Sequence, residues 1–232
     1  YQLLRTLYSD DDYRYIVLTN NYVDTLENEE DDTYKLFKEM VSTYDAQGLY
    51  TLMNTELKAN ASRLYKIDLM TQVINDTTFI GGYESKHMTM IENISRLSYS
   101  MYLNEDAYSA LKQMYDDLYK SIKKRFLVTN AYTSYDILNL EGHSLQAGYS
   151  EFQLGTSVSL KVSGMKDVEF VSTDVYQWLV AHCYEYGYVL RYPSDKVAIT
   201  QKESCNIFRY VGKENAKKMH DQNLCLEELN NQ

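Results

Sequence analysis

Proline is almost missing from this chain: one in 232 residues, with nine glycines. That excludes collagen-like and proline-rich linker sequences. Cysteine is sparse too. Cys183, Cys205 and Cys225 form no C-x-x-C pair, so neither a zinc ribbon nor a thioredoxin-type site is present. Three thiols permit one disulfide at most. No apolar run approaches the ~20 residues that a membrane helix requires, so no span is expected within the chain. Positive charge is in deficit, with 23 Lys and Arg against 33 Asp and Glu, a formal net charge of -10. Phosphate backbones need clustered cations, so a nucleic-acid partner is disfavoured. The histidines number four: His87, His143, His182 and His220. There is no G-x-S-x-G, P-loop or H-E-x-x-H.

What is present suffices for a packed core. Hydrophobic residues make up 44% of the chain, and 24 of its residues are tyrosine. Tyr15–Thr19 reads as a strand, followed by the acidic run Glu27–Asp32. From about Thr33 to Asn75 apolar residues recur at three- and four-residue steps, which predicts helix broken near Gly48. Gly81-Gly82 marks a turn. Asn104 is placed to cap a helix running to about Ile122, with Ala107, Leu111, Tyr115, Leu118 and Ile122 as its buried stripe. Phe126–Thr129 reads as a strand. Thr156–Val162 alternates, with Val158, Leu160 and Val162 on one face and Ser157, Ser159 and Lys161 on the other. A helix capped by Thr173 is predicted over Asp174–Tyr186, closed by Gly187. Strands are predicted from Tyr188 and over Ile207–Val211, and a last helix over Lys213–Asn223. Helices and short strands without a βαβ rhythm predict an α+β fold, a small antiparallel sheet flanked by helices. Residues 1–80 are expected to form an N-terminal strand plus helical extension or insertion, and 81–232 the main domain.

Four segments of the C-terminal half resemble the VanY-like D-Ala-D-Ala carboxypeptidases, zinc peptidases of the M15 family. The family's Ser-Gly-Tyr-Arg-Ser reads Asn130-Ala131-Tyr132-Thr133-Ser134. Its Gly-Tyr-Ser-Glu-His-Gln-x-Gly-x-x-x-Asp reads Gly148-Tyr149-Ser150-Glu151-Phe152-Gln153-Leu154-Gly155-Thr156-Ser157-Val158-Ser159. Trp178-Leu179, Tyr186-Gly187-Tyr188 and Arg191-Tyr192-Pro193 match a third block. Its Glu-Pro-Trp-His-x-Arg-Tyr-Val-Gly reads Ser204-Cys205-Asn206-Ile207-Phe208-Arg209-Tyr210-Val211-Gly212. The order and the internal spacing are kept.

The resemblance implies zinc held by His, Asp and His, with Glu as acid and base. A catalytic zinc needs three protein ligands and an open position for water, whose pKa it lowers. At the three ligand positions stand Phe152, Ser159 and Ile207, and at the base position Ser204. Phe and Ile offer no lone pair, and a serine hydroxyl is a poor zinc ligand. The substrate-positioning Arg is Thr133 here. The expectation is therefore no zinc and no catalytic residues. Tyr132, Thr133, Ser150, Cys205, Arg209 and Tyr210 are the candidate residues of a retained cleft.

The resemblance then implies a non-catalytic relative at the bacterial cell surface or outside the cell. Its expected partner is a peptidoglycan stem peptide or another cell-envelope protein, and an anchor ahead of Tyr1 would be consistent. An active D-Ala-D-Ala carboxypeptidase with an atypical metal site, built from His143 and Cys205, stands as the alternative. A third reading is an interaction module acting through Thr33–Asn75.

Overall fold

The computed structural model describes residues 68–75, 80, 83, 85, 87–140 and 145–229. The strand expected at 15–19, the acidic run, the Gly81-Gly82 turn and the helical pattern before residue 68 lie outside them. The described residues fall in two compact units: 74, 75, 80, 83, 134–140 and 145–153 in one, and 68–73, 85, 87–133 and 154–229 in the other.

The larger unit is built on two antiparallel sheets. β1 (Met88–Met90) pairs with β2 (Tyr102–Asn104). β2 runs directly into helix α1, Glu105–Ile122. As the sequence predicts, Asn104 is its cap: Oδ1 accepts from the N–H groups of Asp106 (3.1 Å) and Ala107 (3.4 Å). These are two of the donors that a helix start leaves without partners. α1 buries Ala107, Ala110, Leu111, Met114, Tyr115 and Leu118.

The second sheet has four strands in the order β3-β4-β6-β5, all antiparallel. They are β3 (Leu127–Asn130), β4 (Ser157–Lys161), β5 (Tyr188–Tyr192) and β6 (Ser204–Tyr210). Helix α2 (Asp174–His182) is capped by the Thr173 hydroxyl, which accepts from Tyr176 N–H at 3.1 Å. It ends sooner than periodicity predicts, because Cys183–Tyr186 winds as a 3-10 turn before Gly187 takes φ 85°. α1, α2 and the sheet enclose one core, with Phe126, Val128, Val158, Leu160, Tyr188 and Phe208 among its buried members. Helices α3 (Lys213–Gln222) and α4 (Leu226–Leu229) bury Ala216, Met219, Leu226 and Leu229 against Val189 and Val211. The fold is α+β, as expected.

Two local expectations fail for physical reasons. Residues 68–75 are not helical. Asp68 draws the chain into a turn: its carboxylate accepts from Met70 N–H and the Thr71 hydroxyl, both at 2.9 Å. A short acidic side chain bonded to its own backbone competes with the helix. Along β4, the supposed polar face is not exposed. Ser157 and Ser159 are only 0% and 8% exposed, because β4 is a central strand buried on both faces.

Candidate functional site

The register of β4 and β6 decides how the site is built. Ser157 faces Arg209, Val158 faces Phe208, and Ser159 faces Ile207. Two positions 48 residues apart in the chain, both selected from the motifs, are thus direct cross-strand partners. Cross-strand neighbours are close enough for side chains to act together. A serine hydroxyl and an aliphatic side chain stand there.

The rest of β6 departs from regular alternation. Leu190 of β5 faces Phe208, and Tyr192 faces Ser204, so Ser204–Phe208 bulges against β5. Pairing along β6 is therefore regular against β4 and bulged against β5. Within the bulge the Ser204 hydroxyl donates to Asn206 Oδ1 at 2.8 Å. Ser204, Cys205, Asn206 and Ile207 are all half-buried. The Cys205 thiol donates weakly to Asp167 O at 3.5 Å, and burial pushes its pKa up. A raised pKa disfavours the thiolate, the form that attacks or binds metal. Burial also raises the Tyr210 hydroxyl.

The remaining candidates divide. Thr133, at the position of the family's arginine, is buried and its hydroxyl donates to Ala131 O at 3.2 Å. Tyr132 is half-buried, its N–H bonded to Tyr102 O at 3.0 Å. Arg209 is not available as a cleft cation. It is 0% exposed, and Nη2 donates to the carbonyls of Leu69 (2.7 Å) and Gln72 (3.4 Å). It fastens the 68–73 turn to β6. The sequence contains no signal for this, since 137 or more residues separate the partners.

Ser150 and Phe152 belong to the smaller unit. Ser150 is buried, and its Oγ accepts from Phe152 N–H at 3.3 Å. Phe152, the third position selected from the motifs, is 3% exposed. Nearby, Gln153 ties this unit together: Nε2 donates to Tyr83 O (2.8 Å), and Oε1 accepts from Gly148 N–H (3.0 Å).

None of the described histidines lies on β4 or β6. His182 is bonded to Glu185 at 2.9 Å, His220 stacks on Tyr184 with centroids 3.7 Å apart, and His87 precedes β1. His143 lies outside the described residues. All three cysteines are free thiols. Among the described residues, no group of three or more His, Cys, Asp or Glu is arranged to hold a metal ion. The donor set at the paired positions, one hydroxyl opposite a hydrocarbon, does not fit zinc, which takes nitrogen, thiolate or carboxylate ligands.

Comparison with known proteins places this architecture. Residues 119–213 match the family model described as VanY, D-alanyl-D-alanine carboxypeptidase. A D-alanyl-D-alanine carboxypeptidase of Enterococcus faecium is 30% identical over 152 residues, covering 62% of this chain and 49% of the relative. Another, from Enterococcus faecalis, is 42% identical over 86 residues, covering 36% of this chain and 31% of the relative. The chain thus spans about half the length of the first and about a third of the second. Among solved structures, the LdcB LD-carboxypeptidase, a structure bearing on peptidoglycan recognition, superposes with TM-score 0.61 at 28% identity. It covers 68% of this chain and 84% of that one. VanYB in complex with D-alanine-D-alanine gives TM-score 0.55 at 25% identity, covering 70% and 97%. Over residues 119–213 the chain is VanY-like, similar to D-alanyl-D-alanine carboxypeptidases in sequence and in fold.

Proposed function

We propose that this chain is a non-catalytic VanY-like protein of the bacterial cell envelope, acting by binding a peptidoglycan stem peptide. The observation that carries the reading is the Ser159–Ile207 pair. Ser159 and Ile207, read as two former ligand positions, are cross-strand partners, which supports the reading. The atoms needed for metal chemistry are nonetheless missing from the pair. Ser204, at the base position, carries a hydroxyl bonded to Asn206 and no carboxylate to move a proton. A peptide ligand is supported by the structural relatives that recognise peptidoglycan or bind D-alanine-D-alanine. A cell-envelope protein partner is the weaker variant of the same reading. Residues 1–80 are assigned as an extension to a VanY-like domain at 81–232. Tyr132, Thr133, Cys205 and Tyr210, all of the larger unit, are the residues proposed around the retained cleft.

The test uses the full chain. Metal content is measured on protein purified in zinc-supplemented buffer, D-alanine release from a D-Ala-D-Ala-ending stem peptide is assayed, and binding of that peptide is followed by calorimetry. The expected result is substoichiometric zinc, no D-alanine release and saturable binding. One zinc per chain with D-alanine release, both lost in His143→Ala or Cys205→Ser, would establish the atypical active site instead. Absence of peptide binding would remove the ligand assignment.

A further inference from the structure

The strands of the four-stranded sheet carry three basic side chains, and two of them are fully engaged within the protein. β3 has none, β4 ends in Lys161, β5 contains Arg191 and β6 contains Arg209. Arg191 is 1% exposed and held by Glu227 through two bonds. Arg209 is 0% exposed and donates to the carbonyls of Leu69 and Gln72. Lys161 is the exception. It is half-buried, and among the described residues nothing accepts a hydrogen bond from its ammonium or forms an ion pair with it, although the chain has 33 Asp and Glu.

Strand register puts Lys161 on the face that holds the Ser159–Ile207 pair. Val158 and Leu160 turn into the core, so Ser157, Ser159 and Lys161 alternate onto the opposite face of β4. Ser159 stands between Ile207 of β6 and Asn130 of β3, and Lys161 is opposite Leu127. Same-face neighbours on a strand are roughly 7 Å apart, and the long flexible stem of a lysine spans most of that distance. The ammonium therefore has the reach to stand beside the Ser159 hydroxyl. The Asn130 carboxamide is fixed there too. Its Oδ1 accepts from Ala131 N–H at 2.9 Å and from the Thr133 hydroxyl at 3.4 Å, and among the described residues nothing accepts from its Nδ2. Asn130, Lys161 and Ile207 are half-buried, so solvent and ligands reach them, and all belong to the larger unit.

A peptide that ends in a carboxylate brings negative charge to a protein of net charge -10. Taking that carboxylate out of water requires a local cation. Thr133, read as the position of the family's arginine, supplies none, and its hydroxyl is bonded to Ala131 O. We propose that Lys161 takes over this role. Its ammonium pairs with the terminal carboxylate of the bound stem peptide, while Asn130 Nδ2 donates to the same end. Lys161 is then a specificity-determining residue: it selects peptides with a free C-terminus over those whose end is an amide. Lys161 has this role only if the chain binds a stem peptide, as proposed above.

The full chain and its Lys161→Gln and Lys161→Arg variants are titrated by calorimetry with diacetyl-L-lysyl-D-alanyl-D-alanine and with its C-terminal amide. The native chain should bind the acid about tenfold more tightly than the amide, the size expected of a hydrogen bond to a charged group. Lys161→Gln should bring that ratio to about one, and Lys161→Arg should keep it because the charge remains. A merely structural role would lower both affinities together and leave the ratio in place. In the native chain with its lysines isotope-labelled by reductive methylation, one methyl resonance, absent from Lys161→Arg, should shift with the acid and not with the amide. That measurement decides the matter if Lys161→Gln does not fold. Equal binding of acid and amide by the native chain, an undiminished acid preference in Lys161→Gln, or an unmoved Lys161 resonance would overturn the assignment to Lys161 and leave peptide binding standing. Binding of neither peptide would remove the peptide-binding reading, and the role of Lys161 with it.

Discussion

Glu227→Ala tests how the C-terminal helices are held on the sheet. Arg191 of β5 and Glu227 of α4 form a two-bond pair: Nη1 to Oε2 at 3.0 Å and Nη2 to Oε1 at 2.8 Å. The side chains are 0% and 12% exposed, so solvent screens the pair little. Removing the carboxylate takes a two-bond partner from a charge that the fold has already desolvated. Breaking a buried pair in this way costs about 3–5 kcal/mol. For a protein of this size each kcal/mol shifts Tm by roughly 2–4 °C, so a loss of at least about 6 °C is expected. Urea titration with the slope compared to the native protein is the assay, because an unchanged slope means that stability alone has moved. Arg191→Met with Glu227→Leu removes both charges, and should lie within about 1 kcal/mol of the native chain, since an apolar pair of similar volume avoids the desolvation cost. If Glu227→Ala loses less than about 1 kcal/mol at unchanged slope, the pair does not anchor α4, and the argument fails.

Asn104→Ala should cost about 1 kcal/mol in the same titration, through loss of the α1 cap, with the β1–β2 pairing intact by hydrogen exchange. Gly187→Ala should cost more than the ordinary price of a helix-end glycine. Its φ is 85°, and a Cβ there would lie 2.8 Å from Tyr210 Cε2 and 3.0 Å from the backbone of Gly212 and Lys213, so thermal melting should show a drop of more than about 1 kcal/mol. The Cys183 thiol, ordinarily 9.0, is pushed up to about 12 by burial. The unfolded thiol therefore ionises first. Its contribution is intact below pH 9.0 and lost as pH rises from 9.0 towards about 12, so stability measured across that range should fall less steeply in Cys183→Ala than in the native chain.

Much of the fold was legible locally. The Asn104 cap, the α1 stripe, the Thr173 cap and the Gly187 stop are short-range chemistry, and each stands where its neighbours in sequence predict. The motif spacing also located Ser159 and Ile207, which the strand register then paired. Failures have two causes: a local side-chain bond that competes with the helix, and a deciding partner that is remote. Residues 68–75 carry a helical rhythm, but the Asp68 turn and the distant Arg209 guanidinium claim their backbone groups. Arg209 itself looked like a cleft cation, because a sequence shows a charge and not its burial.

The residues alone determined that Phe152 and Ile207 offer no metal-binding atom and that Ser159 offers only a hydroxyl, since Phe, Ile and Ser keep their chemistry in any fold. They also determined the starts of α1 and α2, where the Asn104 and Thr173 side chains meet the backbone within three residues. Only the tertiary structure decided that Ser159 and Ile207 face each other, that both faces of β4 are buried, and that Arg191 finds Glu227. Each of these is a property of pairs far apart in the chain, set by which strands lie side by side and by where water is excluded.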